Sequence, residues 1–378
     1  MPLVMTLARR NLFHDRLRFV ATLIGIVFSV VLVMVQMGLF LGFGHMVTTM
    51  IDHANADIWV VPKGAKSFED PSLLDVKLRD KLVSVDGVAS VVPLVIGFSD
   101  WRIETGEVTP VFIVGTDLKA DTLLPWNVVE GDARTLLQWS TVAVDRSYFE
   151  RLGINKLGAT AEIRGHKVRV VALTDGIRSF TTTPYVFVDQ KDARFYTGTL
   201  PSKASELMVR LKPDADREKA IQAIRDRVSG AVEVLTTSEF RERSRSFWLF
   251  GTGAGAALFA GALLGVIVGT VIVAQTLYSS TKEHLAEFAT LRAMGSSNNY
   301  IYNVIIYQAL LNAVAGFAIA AGIGFAVVRM TEGSALPIVI TPWLVAALFV
   351  LTVVMCVASG LVAIIRVVRI DPASVFMR

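Results

Sequence analysis

A single cysteine, Cys356, stands among 378 residues. No intramolecular disulfide can form, so any folded region must be held by its own core. Cys356 lies inside an apolar run, where a free thiol packs as a small apolar residue. Charge is scarce as well: 19% of residues are Asp, Glu, Lys or Arg against 53% hydrophobic, and the mean hydropathy is +0.54. Water-soluble domains carry nearer a quarter charged residues, so much of this chain faces something other than water. The five histidines (His14, His45, His53, His166 and His284) show no HExxH or HxH spacing for zinc. His45 and His53 follow the first apolar run and could together ligate a metal or haem; two solvated polar side chains are the preferred reading. There is no GxSxG elbow for a serine nucleophile. No GxxxxGK[ST] cradle occurs either, since Gly64-Ala65-Lys66-Ser67 has the wrong spacing. Any ATP this system uses is therefore expected to be bound by another polypeptide. The net charge of +4 comes with arginines beside apolar runs, where lipid headgroups would meet them. No basic motif interleaved with aromatics points to nucleic acid as a partner.

What the chain has in abundance is long uncharged segments. The first runs from Phe19 to about His45, and three more cover 246–281, 293–328 and 333–365. Each exceeds the ~20 residues a bilayer-spanning helix needs. The first, ending in Gly42-Phe43-Gly44-His45, is longer than the roughly 7–15 residues of a signal h-region, so an uncleaved helix is expected. Trp248 and Trp343 sit near run ends, as interfacial anchors do. Arg9, Arg10, Arg16 and Arg18 precede the first run, Lys282 and Arg292 follow the second, and Arg366, Arg369 and Arg378 follow the last. The positive-inside rule then places both termini and the second loop in the cytoplasm, with 46–245 outside. The expected order is an amphipathic helix at 1–18, spanning helices at 19–45, 246–281, 300–329 and 343–365, a cytoplasmic loop at 282–299, a short outer loop at 330–342, and a cytoplasmic tail at 366–378.

The region 46–245 is long enough for a domain with its own core. Short runs rich in β-branched residues recur at 57–61, 88–96, 108–115, 141–144, 167–173, 185–188 and 206–211. Arg164-Gly165-His166-Lys167 has the composition of a hairpin turn. The stretches 78–92 and 224–235 share one plan, a helix turning at a glycine into a strand. A unit used twice in this way predicts an α+β domain with helices on one face of a sheet. The fold class expected is thus an α-helical membrane protein with four spanning helices, one plus three, and a large α+β extracytoplasmic domain between the first two. Ser238–Phe247, with Arg241, Arg243 and Arg245, reads as a stalk leading into the second helix.

The cytoplasmic loop carries the most specific pattern. Glu283, Glu287 and Leu291 stand four apart on one side of a helix, while Leu285, Phe288, Leu291 and Met294 form an apolar stripe. Gly295 ends that helix. A short amphipathic helix of this kind suits a groove on a cytoplasmic partner. The series Glu287, Leu291, Arg292, Ala293, Gly295 resembles the coupling-helix signature of the FtsX-like permease family, the membrane subunits of MacB-type (type VII) ABC systems. Ala8-Arg9-Arg10-Asn11-Leu12 and Arg369-Ile370-Asp371-Pro372-Ala373 resemble the opening and closing motifs of that family, and Phe112–Asp117 and Val129-Glu130-Gly131 resemble its outer-domain phrases. Within that family the chain resembles permeases of the heterocyst-glycolipid exporter type.

The resemblance implies a non-catalytic subunit of the bacterial inner membrane, with no cofactor in this chain because a partner ABC ATPase binds ATP and magnesium. It implies a homodimer, an ATPase coupled through Glu283, Glu287, Leu291, Arg292, Ala293, Met294 and Gly295, and mechanotransmission to the outer domain. A periplasmic adaptor and an outer-membrane duct are further partners it suggests. The expected cargo is a lipid or another amphipathic or hydrophobic molecule. The alternative is a signal transmitter that controls a cell-wall hydrolase and transports nothing. Gly251, Gly255, Gly261, Gly265 and Gly269 recur along the second helix, and small residues at such spacing let helices approach closely in lipid. With Gly38 and Gly42 of the first helix they are expected in the dimer interface, packing within one protomer being the alternative.

Overall fold

The computed structural model describes residues 16–228, 230–283, 298–331 and 338–368. They divide into an outer unit, 43–228 and 230–254, and a helical unit of 16–42, 255–283, 298–331 and 338–368. The first helix, α1 (Arg16–Met46), is followed by the short α2 (Thr49–His53). The outer unit then alternates strands with short helices. Its strands are β1 (Ile58–Pro62), β2 (Leu74–Asp75), β3 (Val88–Arg102), β4 (Val108–Thr116), β5 (Val128–Gly131), β6 (Thr141–Asp145), β7 (Thr160–Ile163), β8 (His166–Thr174), β9 (Tyr185–Asp189), β10 (Lys203–Ala204), β11 (Glu206–Leu211) and β12 (Val232–Thr236). Its further helices are α3 (Leu78–Val83), α4 (Phe149–Leu152), α5 (Gln190–Thr197), α6 (Arg217–Arg227) and α7 (Thr237–Ser246).

One sheet runs β12-β1-β11-β3-β4-β9-β6-β8-β5, with β7 bridging β3 and β8. The long β3 joins its two halves, pairing β11 through Val88–Leu94 and β4 through Val95–Arg102. Strand alternation sorts side chains to opposite faces. On one face Ile58, Val60, Leu207 and Val209 pack under Leu82 of α3 and Ile221 and Ile224 of α6. This is the helix–strand plan read twice in the sequence: α3 leads into β3, and α6 into β12. On the other face Trp59, Met208, Leu94, Phe112 and Tyr185 form a second core with Phe68 and with Phe240 of α7. Arg164 and Gly165 both take positive φ between Ile163 and His166, the two-residue turn that matches strand twist.

Beyond α7 the chain departs from the expected uncharged helix over 246–281. Phe247–Gly251 form a π turn, Gly253 takes φ +79°, and α8 (Ala254–Glu283) begins only afterwards. Thr252 Oγ1 donates to Trp248 O at 2.6 Å and closes the turn. A hydroxyl bonding back to the fourth preceding carbonyl, followed by a left-handed glycine, ends a helix that apolarity alone would continue. The helices α9 (Asn298–Thr331) and α10 (Pro342–Val368) complete the chain's described part. Phe19–Met46, Ala254–Thr276, Tyr302–Thr331 and Pro342–Leu361 are each long and apolar enough to cross a membrane.

Within the helical unit the glycines are used inside the chain. Gly265 faces Leu32 and Val33 of α1, with an added Cβ 3.0 Å from Val33, and Gly261 faces Gln36. Gly269 lies against Ser29, whose hydroxyl donates to Gly265 O at 2.7 Å. Gly38 lies under Ile338, and its carbonyl accepts from Val339 N at 3.1 Å. Gly251, in the π turn, meets only its own neighbour Phe247, while Gly42 and Gly255 are buried. Gly38, Gly261, Gly265 and Gly269 thus each meet side chains of the same protomer, the packing that the glycine spacing left open as the alternative to a dimer interface. The physics of small residues in lipid holds, but helices of one chain use it here. Gly265→Leu is expected to overpack the α1–α8 contact and cost about 1–3 kcal/mol, read as a fall in the thermal unfolding midpoint of the purified chain, with chain–chain crosslinking unchanged.

Candidate functional site

Of the residues expected to couple to an ATPase, Glu283 closes α8. Glu287, Leu291, Arg292, Ala293, Met294 and Gly295 lie outside the described residues, as does the N-terminal amphipathic segment before Arg16. His45 is exposed, and the ring of His53 stacks on Trp126 at 3.9 Å with Nδ1 2.8 Å from Thr49 O. Among the described residues no group of His, Cys, Asp and Glu side chains is arranged to hold a metal.

The expected stalk is present as α7. Thr236 and Glu239 form a reciprocal capping box, with Glu239 N donating to Thr236 Oγ1 and Thr236 N to Glu239 Oε2. Two N-terminal donors are satisfied in this way, which fixes where the helix starts. Its arginines then divide their work. Arg241 pairs with Asp52 of α2. Arg243 pairs with Glu233 of β12 at 2.6 Å and reaches Ala65 O. Between them the buried hydroxyl of Ser244 donates to Val47 O at 3.1 Å. The stalk is therefore tied both to the segment leaving α1 and to the edge of the sheet.

One turn later Trp248 sits in a seat made by two loops. Its Nε1–H donates to Glu69 Oε2 at 3.2 Å, and its ring lies 4.3 Å from Phe180. Phe180 in turn meets Phe43 edge-on at 5.3 Å and packs with Met46 and Val47. The loop that carries Phe180 is fixed from behind: Ile177 N donates to buried Asp145 at 2.7 Å, and Ser179 N to Tyr148 Oη at 2.7 Å. Lys66, on the same loop as Glu69, stands over the Phe247 ring at 5.4 Å. Trp248, expected as a lipid-interface anchor, is thus held by the outer domain itself.

Behind this seat lies a group of acids in an apolar surrounding. Tyr185 Oη donates to Glu69 Oε1 at 3.1 Å. Glu206, at the start of β11, shares the core face with Met208 and is buried, with Oε2 lacking a hydrogen-bond partner among the described residues. Burial pushes the Glu206 carboxyl well above the ordinary carboxylate range, and the neighbouring Glu69 and Asp70 push the same way. Burial also raises Glu69, against hydrogen bonds that include those from Tyr185 and Trp248. The Tyr185 hydroxyl is raised well above its usual value by burial and then by Glu69. An unpaired carboxyl in such a place is held as the neutral acid. Sequence reading missed Glu69 and Glu206. Glu206 had a readable sign, since it alternates with Met208 on a strand whose inward face is otherwise apolar.

Residues 19–227 match the family model of the MacB-like periplasmic core domain, and residues 258–372 that of the FtsX-like permease C-terminal region. Among solved structures the chain is similar to the extracellular domain of the noncanonic ABC-type transporter YknZ from Gram-positive bacteria, at 18% identity over 48% of this chain and 98% of that one, with a TM-score of 0.35. It is also similar to the periplasmic region of MacB from Actinobacillus actinomycetemcomitans, at 12% identity over 51% of this chain and 94% of that one, with a TM-score of 0.37. No curated protein gives a match.

Proposed function

This chain belongs to the FtsX-like ABC permeases that carry a MacB-like periplasmic core domain, and from that premise we propose that it couples a separate ATPase subunit to export of an amphipathic substrate by mechanotransmission. The observation that carries this reading is the seating of the stalk. Between Arg241 and Trp248 the chain makes two ion pairs, a buried hydroxyl contact and an indole hydrogen bond to the outer domain, immediately before the second spanning helix. A displacement of that helix would be delivered to the sheet through these ties. The central parts of the four spans contain no Asp, Glu, Lys or Arg, which leaves an ion pathway without a lining.

In this reading the chain works as a homodimer in the bacterial inner membrane, both termini are cytoplasmic, and ATP and magnesium stay on the ATPase. An adaptor and an outer-membrane duct would extend the route. Glu287 and Leu291 are the residues on which ATPase docking is expected to turn. Co-purification of the ATPase should be lost in the double variant Glu287→Lys, Leu291→Asp, with the chain's own thermal midpoint unchanged. Equal recovery from wild type and variant would place docking elsewhere. ATP-dependent accumulation of a lipid probe in inside-out vesicles separates export from signalling, because a transmitter that moves no cargo would show none.

A further inference from the structure

The side chains of α1 that turn away from the bundle form a stripe of one character. Val20, Ile24, Phe28 and Val35 lie along it, and with Ile319 and Ile323 of α9 they line a hydrocarbon groove of about 610 Å³. Most of this lining is well exposed, Ile24 at 64% and Phe28 at 56%. Of the small residues in this stretch of α1, Thr22 and Ser29 are buried and Gly25 meets Ile272 of α8, while Ala21 is exposed beside the stripe. Helices that pair in lipid approach through small residues. A ridge of branched and aromatic side chains holds a second helix off and leaves a channel that a flexible hydrocarbon chain can fill.

The ends of the groove add a second constraint. Arg16 is exposed and stands four residues before Val20, one turn further along the same stripe. From Val20 to Val35 the helix rises about 22 Å, against about 15 Å for one leaflet of a hydrocarbon core roughly 30 Å thick. A lipid whose headgroup lies at Arg16 would therefore find room in the groove for an acyl chain, and a guanidinium is the side chain best shaped to hold a phosphate. We infer that the groove between α1 and α9 is a binding site for an anionic phospholipid, its acyl chain lying along Val20–Val35 and its phosphate at Arg16.

The test is native mass spectrometry of the full-length chain after reconstitution with phosphatidylglycerol or with phosphatidylcholine. Wild type should retain phosphatidylglycerol in preference to phosphatidylcholine. Arg16→Gln should reduce that preference about five-fold, the weight of one basic residue at an anionic surface. Ile24→Trp, at an exposed position, should fill the groove and release both lipids, whereas Val354→Trp, equally exposed on α10 and outside the groove, should change nothing. Equal retention of the two lipids by wild type, or full retention by Ile24→Trp, overturns the proposal. So does binding of inorganic phosphate that displaces no lipid, which would make Arg16 a simple anion site. Disulfide capture between chains carrying Ile24→Cys or Phe28→Cys in phosphatidylglycerol bilayers would overturn it as well, by making the groove an interface between copies.

Discussion

The full-length Glu206→Gln variant is expected to lose a pH dependence of stability that the native chain carries from mildly acid pH upward. Glu206 is buried, its Oε2 has no partner among the described residues, and its neighbours Glu69 and Asp70 are acids. In the unfolded chain its carboxyl titrates near pH 4.3, whereas the folded value is raised well above that by burial. Between those two values the folded state holds one proton more than the unfolded state. Stability from this group is thus fully present below the unfolded value and falls as pH rises, by about 1.4 kcal/mol per unit, until the folded value is passed. Glutamine has the same shape and does not titrate. Below pH 4 the variant should match the native chain or be slightly weaker. Above pH 5 it should become progressively the more stable of the two. Thermal midpoints measured between pH 4 and pH 8 check this, and parallel curves for the two proteins would mean that Glu206 is ionised or solvated in the fold.

Under the export function proposed above, Trp248→Ala is expected to leave ATP hydrolysis by the assembled complex running while transport per ATP collapses. The substitution removes the indole donor to Glu69 and the ring that lies on Phe180. A buried hydrogen bond is worth about 1 kcal/mol and an aromatic pair another ~1 kcal/mol beyond its buried area. The stalk should then leave its seat more readily by a factor on the order of ten to a hundred. The π turn and Gly253 that follow already interrupt the helix, so little else at that point would stiffen the path. Trp248→Phe keeps the ring contact and loses only the N–H, and should show an intermediate defect. The measurement is the ratio of lipid probe moved to phosphate released in vesicles containing the complex. An unchanged ratio in Trp248→Ala would remove the seat from the transmission path.

Several features of this molecule were legible one segment at a time. The four spans follow from runs of more than twenty uncharged residues, because only a helix satisfies its own backbone in hydrocarbon. The α+β plan of the outer domain follows from two helix–glycine–strand stretches, now α3–β3 and α6–β12. The hairpin at Arg164-Gly165 and the stalk with its three arginines were equally local, since each depends on residues close together in sequence.

Other features depended on which distant segments meet. The glycine spacing of α8 showed that something packs closely there, but spacing has no term for whose helix fills the space, and α1 of the same chain does. Trp248 at the edge of an apolar run looks the same whether it meets headgroups or a carboxylate 179 positions away. Glu69, Tyr185, Glu206 and Trp248 come from four separate stretches, and the raised pKa of Glu206 exists only because the sheet closes over it. The sequence by itself determined the spans, the element types and the family. Tertiary structure alone decided which faces pair and where a carboxyl is stripped of water, because burial and close approach belong to contacts between segments and not to any segment on its own.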